Sequence, residues 1–206
     1  MRNKCFLGIG LIFLLALGAP LSSQTWIKLS PTPDPTYGSP LTTSGHGAVY
    51  NPATNRMIIF GGFHDFGGYS LTNDLWVLTN ADGTGGKAAW IKLTPSGGPS
   101  VRWCFGGAAY DQANNRMIVH GGFDRPGYCD SALHDTWVLT KSDGTGGSPA
   151  WTQISTGGPA LRNHTIAYDP VNNRLMVHGG MPGGCGQNND YTWVMTNANG
   201  LGGTPV

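Results

Sequence analysis

Arg56-Met-Ile-Ile-Phe-Gly-Gly62 recurs as Arg116-Met-Ile-Val-His-Gly-Gly122 and as Arg174-Leu-Met-Val-His-Gly-Gly180, each copy roughly sixty residues after the last. Three copies in one chain make this a repeat protein. The same landmarks surround each copy in the same order: a Tyr-ended stretch, the apolar run with its double glycine, and two stretches that carry tryptophan. A unit of this length cannot bury its apolar faces alone, so function is expected to belong to a surface that several units build together.

The composition points to short strands joined by turns. Glycine is 33 of 206 residues and proline is 14, and all eleven acidic residues are aspartate, so the residues that favour exposed helices are scarce. With 39% apolar residues there is enough material for a packed core.

Each unit reads as four strands. The first ends in an aromatic: Gly45-His-Gly-Ala-Val-Tyr50, Arg102-Trp-Cys-Phe-Gly-Gly-Ala-Ala-Tyr110 and Arg162-Asn-His-Thr-Ile-Ala-Tyr168. Turns rich in Asn, Asp and Pro come next, at 51–55, 111–115 and 169–173. The continuous apolar run is the second strand, as expected of a strand covered on both faces. The pairs Gly61-Gly62, Gly121-Gly122 and Gly179-Gly180 end it, for backbone geometry or for the close approach of a neighbouring chain. A phosphate-binding loop would need a helix after it, and the pattern predicts none. The third strands carry Trp76, Trp137 and Trp193, which are expected to wedge between units. The repeated link Asn80-Ala-Asp-Gly-Thr-Gly-Gly86 then leads to fourth strands Trp26-Ile-Lys-Leu29, Trp90-Ile-Lys-Leu93 and Trp151-Thr-Gln-Ile154.

On these residues the chain resembles the kelch-repeat family, bacterial secreted type, whose propeller is shared with galactose-oxidase-like proteins. The resemblance implies an all-β fold of four-stranded antiparallel blades around an axis, here three blades at about 44–93, 102–154 and 162–206 plus the N-terminal strand 26–29. It also matches Arg102 and Arg162 to the kelch arginine of the first strand, with Ser44 in its place in the first unit. Propellers close with four to eight blades. Two explanations fit a count of three: a truncated copy of a longer propeller, or a partial ring that a homodimer completes as six blades. Unpaired sheet edges at both ends favour association.

Residues 1–23 read as a secretory signal peptide: Arg2 and Lys4, an apolar stretch from Cys5 to Pro20, then Ser22-Ser23. The chain is expected to be secreted or periplasmic, with no stable membrane insertion once the signal is cleaved. Without Arg2 and Lys4 the net charge falls from +1 to slightly negative, and the remaining Lys and Arg are scattered, so nucleic acid is not an expected partner.

In the kelch arrangement the start of the first strand and the loop between second and third strands share one face. That face would gather Arg102, Arg162, His46 and His164 near the axis. Loops 63–72, 123–133 and 181–189 surround them and differ most between units, which is where binding is usually located. Phe66, Tyr69 and Tyr128 in these loops, with Phe63 and Phe123, are candidate ligand contacts for protein or carbohydrate. The arginines read equally well as braces that bond neighbouring carbonyls. His120 and His178 replace Phe60 but have no Asp or Cys spaced to join them, so no metal and no cofactor is expected. Cys104, Cys129 and Cys185 allow one disulfide in an oxidising setting, Cys104 with Cys129 or Cys129 with Cys185. No nucleophile or carboxylate pair is recognisable. The expected function is a non-catalytic exported binding or scaffold module. An oxidase-like or glycan-directed enzyme with its site at the ring axis, or a remnant with no activity of its own, are the alternatives.

Overall fold

The computed structural model describes residues 25–64, 70–125, 132–183 and 188–203. Eleven strands form three antiparallel sheets among them, with no helix. The first sheet is β1 (Gly47–Asn51), β2 (Arg56–His64), β3 (Ser70–Thr79) and β4 (Ala89–Leu93), paired in that order. The second repeats it with β5 (Ala108–Asp111), β6 (Arg116–Phe123), β7 (Ala132–Thr140) and β8 (Ala150–Ser155). The third holds β9 (Thr165–Asp169), β10 (Arg174–His178) and β11 (Thr192–Thr196), with β11 at its edge. Strand β1 lies beside β5 and β5 beside β9, so the first strands form the inner side of an arc.

The local chemistry of each unit recurs. Asn55, Asn115 and Asn173 take positive φ near +50° in the first turn, a conformation asparagine tolerates. Tyr50, Tyr110 and Tyr168 each donate a hydroxyl to the Oδ1 of that asparagine at 3.1–3.2 Å. The link between third and fourth strands folds back on the same residues. Asn55 meets Asp82, Asn115 meets Asp143, and Asn173 meets Asn199.

Burial lies between the sheets rather than within them. Ile58, Phe60, Leu75 and Val77 pack on Phe105, Met117, Val119, Leu139 and Trp151, while Ile118 and Val138 pack on Leu161, Leu175 and Val177. Only the middle run, in β6, is covered on both faces, because a sheet lies on each side of it; the runs of β2 and β10 bury Ile58 and Phe60, and Leu175 and Val177, against the second sheet, while Ile59 and Met176 on their other faces stay partly exposed. At the turn end a second set of contacts crosses the same seams. Asn51 Nδ2 and Thr54 Oγ1 donate to Asp143 Oδ2 at 2.9 and 2.8 Å, and Arg56 Nη1 donates to the Asp143 carbonyl at 2.8 Å. One unit later Asn199 Nδ2 donates to Asp111 Oδ2, and Arg116 Nη1 to the Asn199 carbonyl, both at 2.8 Å. Arg56 and Arg116, which open the first two repeats, are therefore clamps on the next unit.

Three expectations change. The first strands start at Gly47, Ala108 and Thr165, and the chain before them is irregular, because it bends across the end of the second strand instead of pairing along it. Trp26 to Leu29 is not a strand, since among the described residues it pairs with no sheet edge that could take its backbone hydrogen bonds; Trp26 is fully exposed. Trp151 of a fourth strand is the wedge between the first two units, its ring 4.9 Å from Phe60. Of the third-strand tryptophans, Trp137 packs on the core between those two units, Trp76 meets Trp90 of its own sheet edge-on at 6.4 Å, and Trp193 is half exposed.

Candidate functional site

The double glycines build the face on which the loops stand. Gly61 and Gly121 are bulge residues at φ +69° and +61°, and they let the next unit cross close by. Gly62 N donates to Arg102 O at 2.9 Å and Gly122 N to Leu161 O at 2.8 Å. The second glycine of each pair meets the first segment of its own unit: a Cβ there would lie 2.7–3.2 Å from the Cβ of His46, Phe105 or His164. His46, Phe105 and His164 are therefore one structural position.

That equivalence corrects the register of the arginines. Ser44, Trp103 and Arg162 each pair with the residue after the double glycine, Phe63, Phe123 and Met181. Arg102 sits one place earlier, at the position of Leu161. The two arginines consequently have different surroundings. Arg102 is wholly buried; its Nη1 and Nη2 donate to Asp135 Oδ1 and Oδ2 at 3.0 Å each, and Nη1 also to Gly121 O at 3.1 Å. Burial alone would raise the Asp135 carboxyl, but the hydrogen bonds and charge of Arg102 hold it below its ordinary value, helped by Trp137 Nε1 at 2.6 Å. Arg102 is a brace inside the second unit.

Arg162 instead lies over the Phe123 ring, 5.3 Å from its centroid. Trp103, at the matching position, packs on Phe63 at 5.0 Å and stands 6.4 Å from Phe123. Phe63, Trp103, Phe123 and Arg162 thus form one ladder of planar groups in contact, tilted between Phe63 and Trp103 and edge-on between Trp103 and Phe123, that runs across three units at the base of the loops. Phe123 is buried, Phe63, Trp103 and Arg162 are half-buried, and His46 beside them is exposed. The sequence reading missed Trp103, because its partner rings lie twenty and forty residues away along a repeat whose register was read one place off. Phe66, Tyr69 and Tyr128 lie outside the described residues, as do Cys129 and Cys185. Cys104 is a free thiol; burial pushes it up to about 11, with the Arg162 charge opposing. It is expected to react slowly with thiol reagents in the native protein.

His120 and His164 stand where the first seam has Phe60 and Phe105, ring centroids 5.4 Å apart. His120 is satisfied by Thr136 Oγ1 at 2.9 Å and Pro159 O at 3.0 Å. His164 is buried and neither ring nitrogen has a hydrogen-bond partner. Among the described residues no three His, Cys or Asp side chains come together as metal ligands. Burial pulls His164 down to about 4, so it folds neutral. The unfolded chain, with an ordinary histidine, binds the proton first as pH falls. Stability attributable to this residue is therefore complete above about pH 6.5 and declines by at most about 1.4 kcal/mol per pH unit down to about pH 4. His164→Phe, which copies Phe105, is expected to flatten urea-unfolding stability between those limits; an unchanged slope would remove His164 as its source.

Residues 19–197 match the model of the KLHDC2/KLHL20/DRC7 Kelch-repeats domain. The "Rab9 effector protein with kelch motifs" of Danio rerio is 24% identical, over 73% of this chain and 58% of its own length. The "Multiple epidermal growth factor-like domains protein 8" of Mus musculus is 29% identical, over 79% of this chain and 5% of its own length. The solved structure of YjhT superposes with a TM-score of 0.53 at 17% identity, covering 79% of this chain and 44% of that one. The chain spans less than two thirds of each of these relatives.

Proposed function

Since this chain belongs to the kelch-repeat family, we propose that it is a non-catalytic interaction propeller that binds its partner through the loop face, and that it does so outside the cell after loss of residues 1–23. Kelch repeats make protein-interaction surfaces, and a protein is the partner this reading favours; a carbohydrate is the other ligand that the face suits. The ladder Phe63, Trp103, Phe123 and Arg162 carries the reading. The half-buried rings of Phe63 and Trp103, backed by buried Phe123 and ending in the Arg162 guanidinium, offer a rigid apolar platform with one charge, suited to an aromatic or acidic side chain or to a sugar face. The seams of backbone and core beneath hold that platform still, which spares the ordering cost of binding. Two copies of the chain sharing one ring complete the proposal.

The test is photo-crosslinking from position 63, on the loop face, and from position 84, at the opposite end of the first unit, joined to a glycan array on the same preparation. Crosslinks to a defined protein, or saturable glycan binding, that depend on position 63 and fall about 30-fold with Trp103→Ala support the platform. Equal labelling from both positions, or binding indifferent to Trp103, would sink it.

A further inference from the structure

The ring of His164 sits in a slot that the first seam fills with an apolar side chain. At that seam, Cβ positions on Gly47 and Gly61 lie 2.5 and 3.1 Å from the Phe105 ring, so two glycines of the first unit clear a place for a ring of the second. One seam on, Gly106 and Gly121 clear the matching place for His164: Cβ positions on them lie 2.5 Å from its Cδ2 and 3.1 Å from its Cε1. Those two carbons flank Nε2, so that nitrogen is turned to the backbone of the second unit. The chain behind the ring is packed as closely, with the His164 carbonyl against Gly106 and the His164 Cβ 2.7 Å from a Cβ position on Gly180. A slot shaped for a phenyl ring thus holds an imidazole with no hydrogen-bond partner at either nitrogen.

Its neighbour is differently placed. His120 Nε2 lies 3.0 Å from Pro159 O, an atom that only accepts, so Nε2 carries the proton and Nδ1 accepts the Thr136 hydroxyl at 2.9 Å. A second proton on Nδ1 would be met by the Thr136 oxygen. Burial opposes charge on His120, the Pro159 carbonyl and Asp135 favour it, and Arg102 and His134 oppose it. At His164 burial and the His120 ring both oppose charge, and the His120 carbonyl favours it least of the three without making a hydrogen bond. Cys104 and Arg162 on the crossing segments, Asp124 after Phe123 and His178 opposite Thr165 are the other titratable or charged groups along this seam, and none of them acts on His164. A charged His164 would stand in a closed slot with two donors, no hydrogen-bonded acceptor and a histidine beside it. Only separation of the third unit from the second brings water to it.

We infer that the seam between the second and third units is an acid-opened hinge: a proton on His164 parts the two units there and lifts Arg162 away from Phe123, while the first seam, closed by Phe60 and Phe105, stays shut. Arg162 precedes His164 by two residues on the same crossing segment, so the two move together. The opening is a property of the seam alone; its consequence, a platform that sheds its charged end in acid, rests on the loop-face reading above. In the open form His164 takes its proton at about pH 6.5, and in the closed form at about 4, so the open form gains about tenfold per pH unit as pH falls between those limits and nothing outside them.

Hydrogen exchange of the intact chain, read by NMR as protection factors from about pH 7.5 to about pH 4.5, tests this. The reporters are amides that cross each seam: Gly122 N to Leu161 O and Asn163 N to Cys104 O at the second, Gly62 N to Arg102 O at the first. Strands β2 and β3 report unfolding of the whole. The second-seam amides are expected to be about tenfold or more less protected than Gly62 and than β2 and β3, and to lose about tenfold in protection per pH unit below about pH 6.5. His164→Phe, which copies the first seam, is expected to remove that dependence. Second-seam amides that follow β2 and β3 in both level and slope would mean that the molecule opens only by unfolding as one, and would overturn the hinge. A pH dependence that survives His164→Phe would overturn His164 as its trigger. Crosslinking from position 63 at about pH 7.5, where the seam is shut, tests the loop face separately, so either reading can fail without the other.

Discussion

Asp135→Ala is expected to lower the free energy of unfolding by about 3–5 kcal/mol, the range found when one partner of a buried ion pair is removed. Arg102 has no exposed surface, and its fork loses both carboxylate bonds, keeping only the carbonyls of Gly121 and Ser100. A guanidinium cannot shed its proton to escape, so the charge stays buried and half-satisfied. Trp137 Nε1 loses its acceptor as well. Arg102→Leu is expected to cost less, because Asp135 retains some exposure and water can reach it. Leu161 and Tyr191 hold these two places in the third unit, so the Arg102→Leu and Asp135→Ala pair should recover much of what Asp135→Ala loses. Urea unfolding of the three variants reads the result. A loss below about 1 kcal/mol for Asp135→Ala would place the pair among solvated surface bridges instead.

The contrast between Arg102 and Arg162 also shows where the sequence was legible. Strand order, turn positions and the double glycines arise from local composition, and they were readable from three copies of one pattern. The register of the irregular crossing before each first strand was not. Arg102 and Arg162 look alike in sequence, yet only the pairings of Trp103 with Phe123 and of Arg162 with Met181 reveal that they differ by one place. Contacts across seams escaped for the same reason. Asp143 reads as a turn residue, and it is one, but its second carboxylate oxygen is shared with Asn51 and Thr54 of the unit before. The Phe63, Trp103, Phe123 and Arg162 ladder likewise draws one or two residues from each unit. A repeat announces what every copy does; it is silent on what adjacent copies do with their differences.

Gly121→Ala is expected to cost about 3 kcal/mol or more, by adding a left-handed backbone penalty to an overlap with the next unit. The φ at Gly121 is +61°, and a Cβ there would stand 2.6 Å from Leu161 O and 3.1 Å from both Leu133 O and His164 Cε1. Two of those neighbours are backbone, which has little room to give, since Leu161 O is fixed by Gly122 N and Leu161 N by Leu133 O. Relief would require the third unit to move away from the second, opening the core around Ile118 and Leu175. Gly146→Ala separates the two contributions. Its φ is +78° with nothing within 4 Å, so it should cost only the conformational part, about 1 kcal/mol. Gly179 is the counterpart of Gly121 in the third unit, at φ +69° with its nearest neighbour 3.6 Å away. Gly179→Ala should behave like Gly146→Ala. Urea unfolding of the three alanine variants separates a cost of backbone conformation from a cost of the seam; equal losses for Gly121→Ala and Gly146→Ala would mean that the seam tolerates the extra methyl.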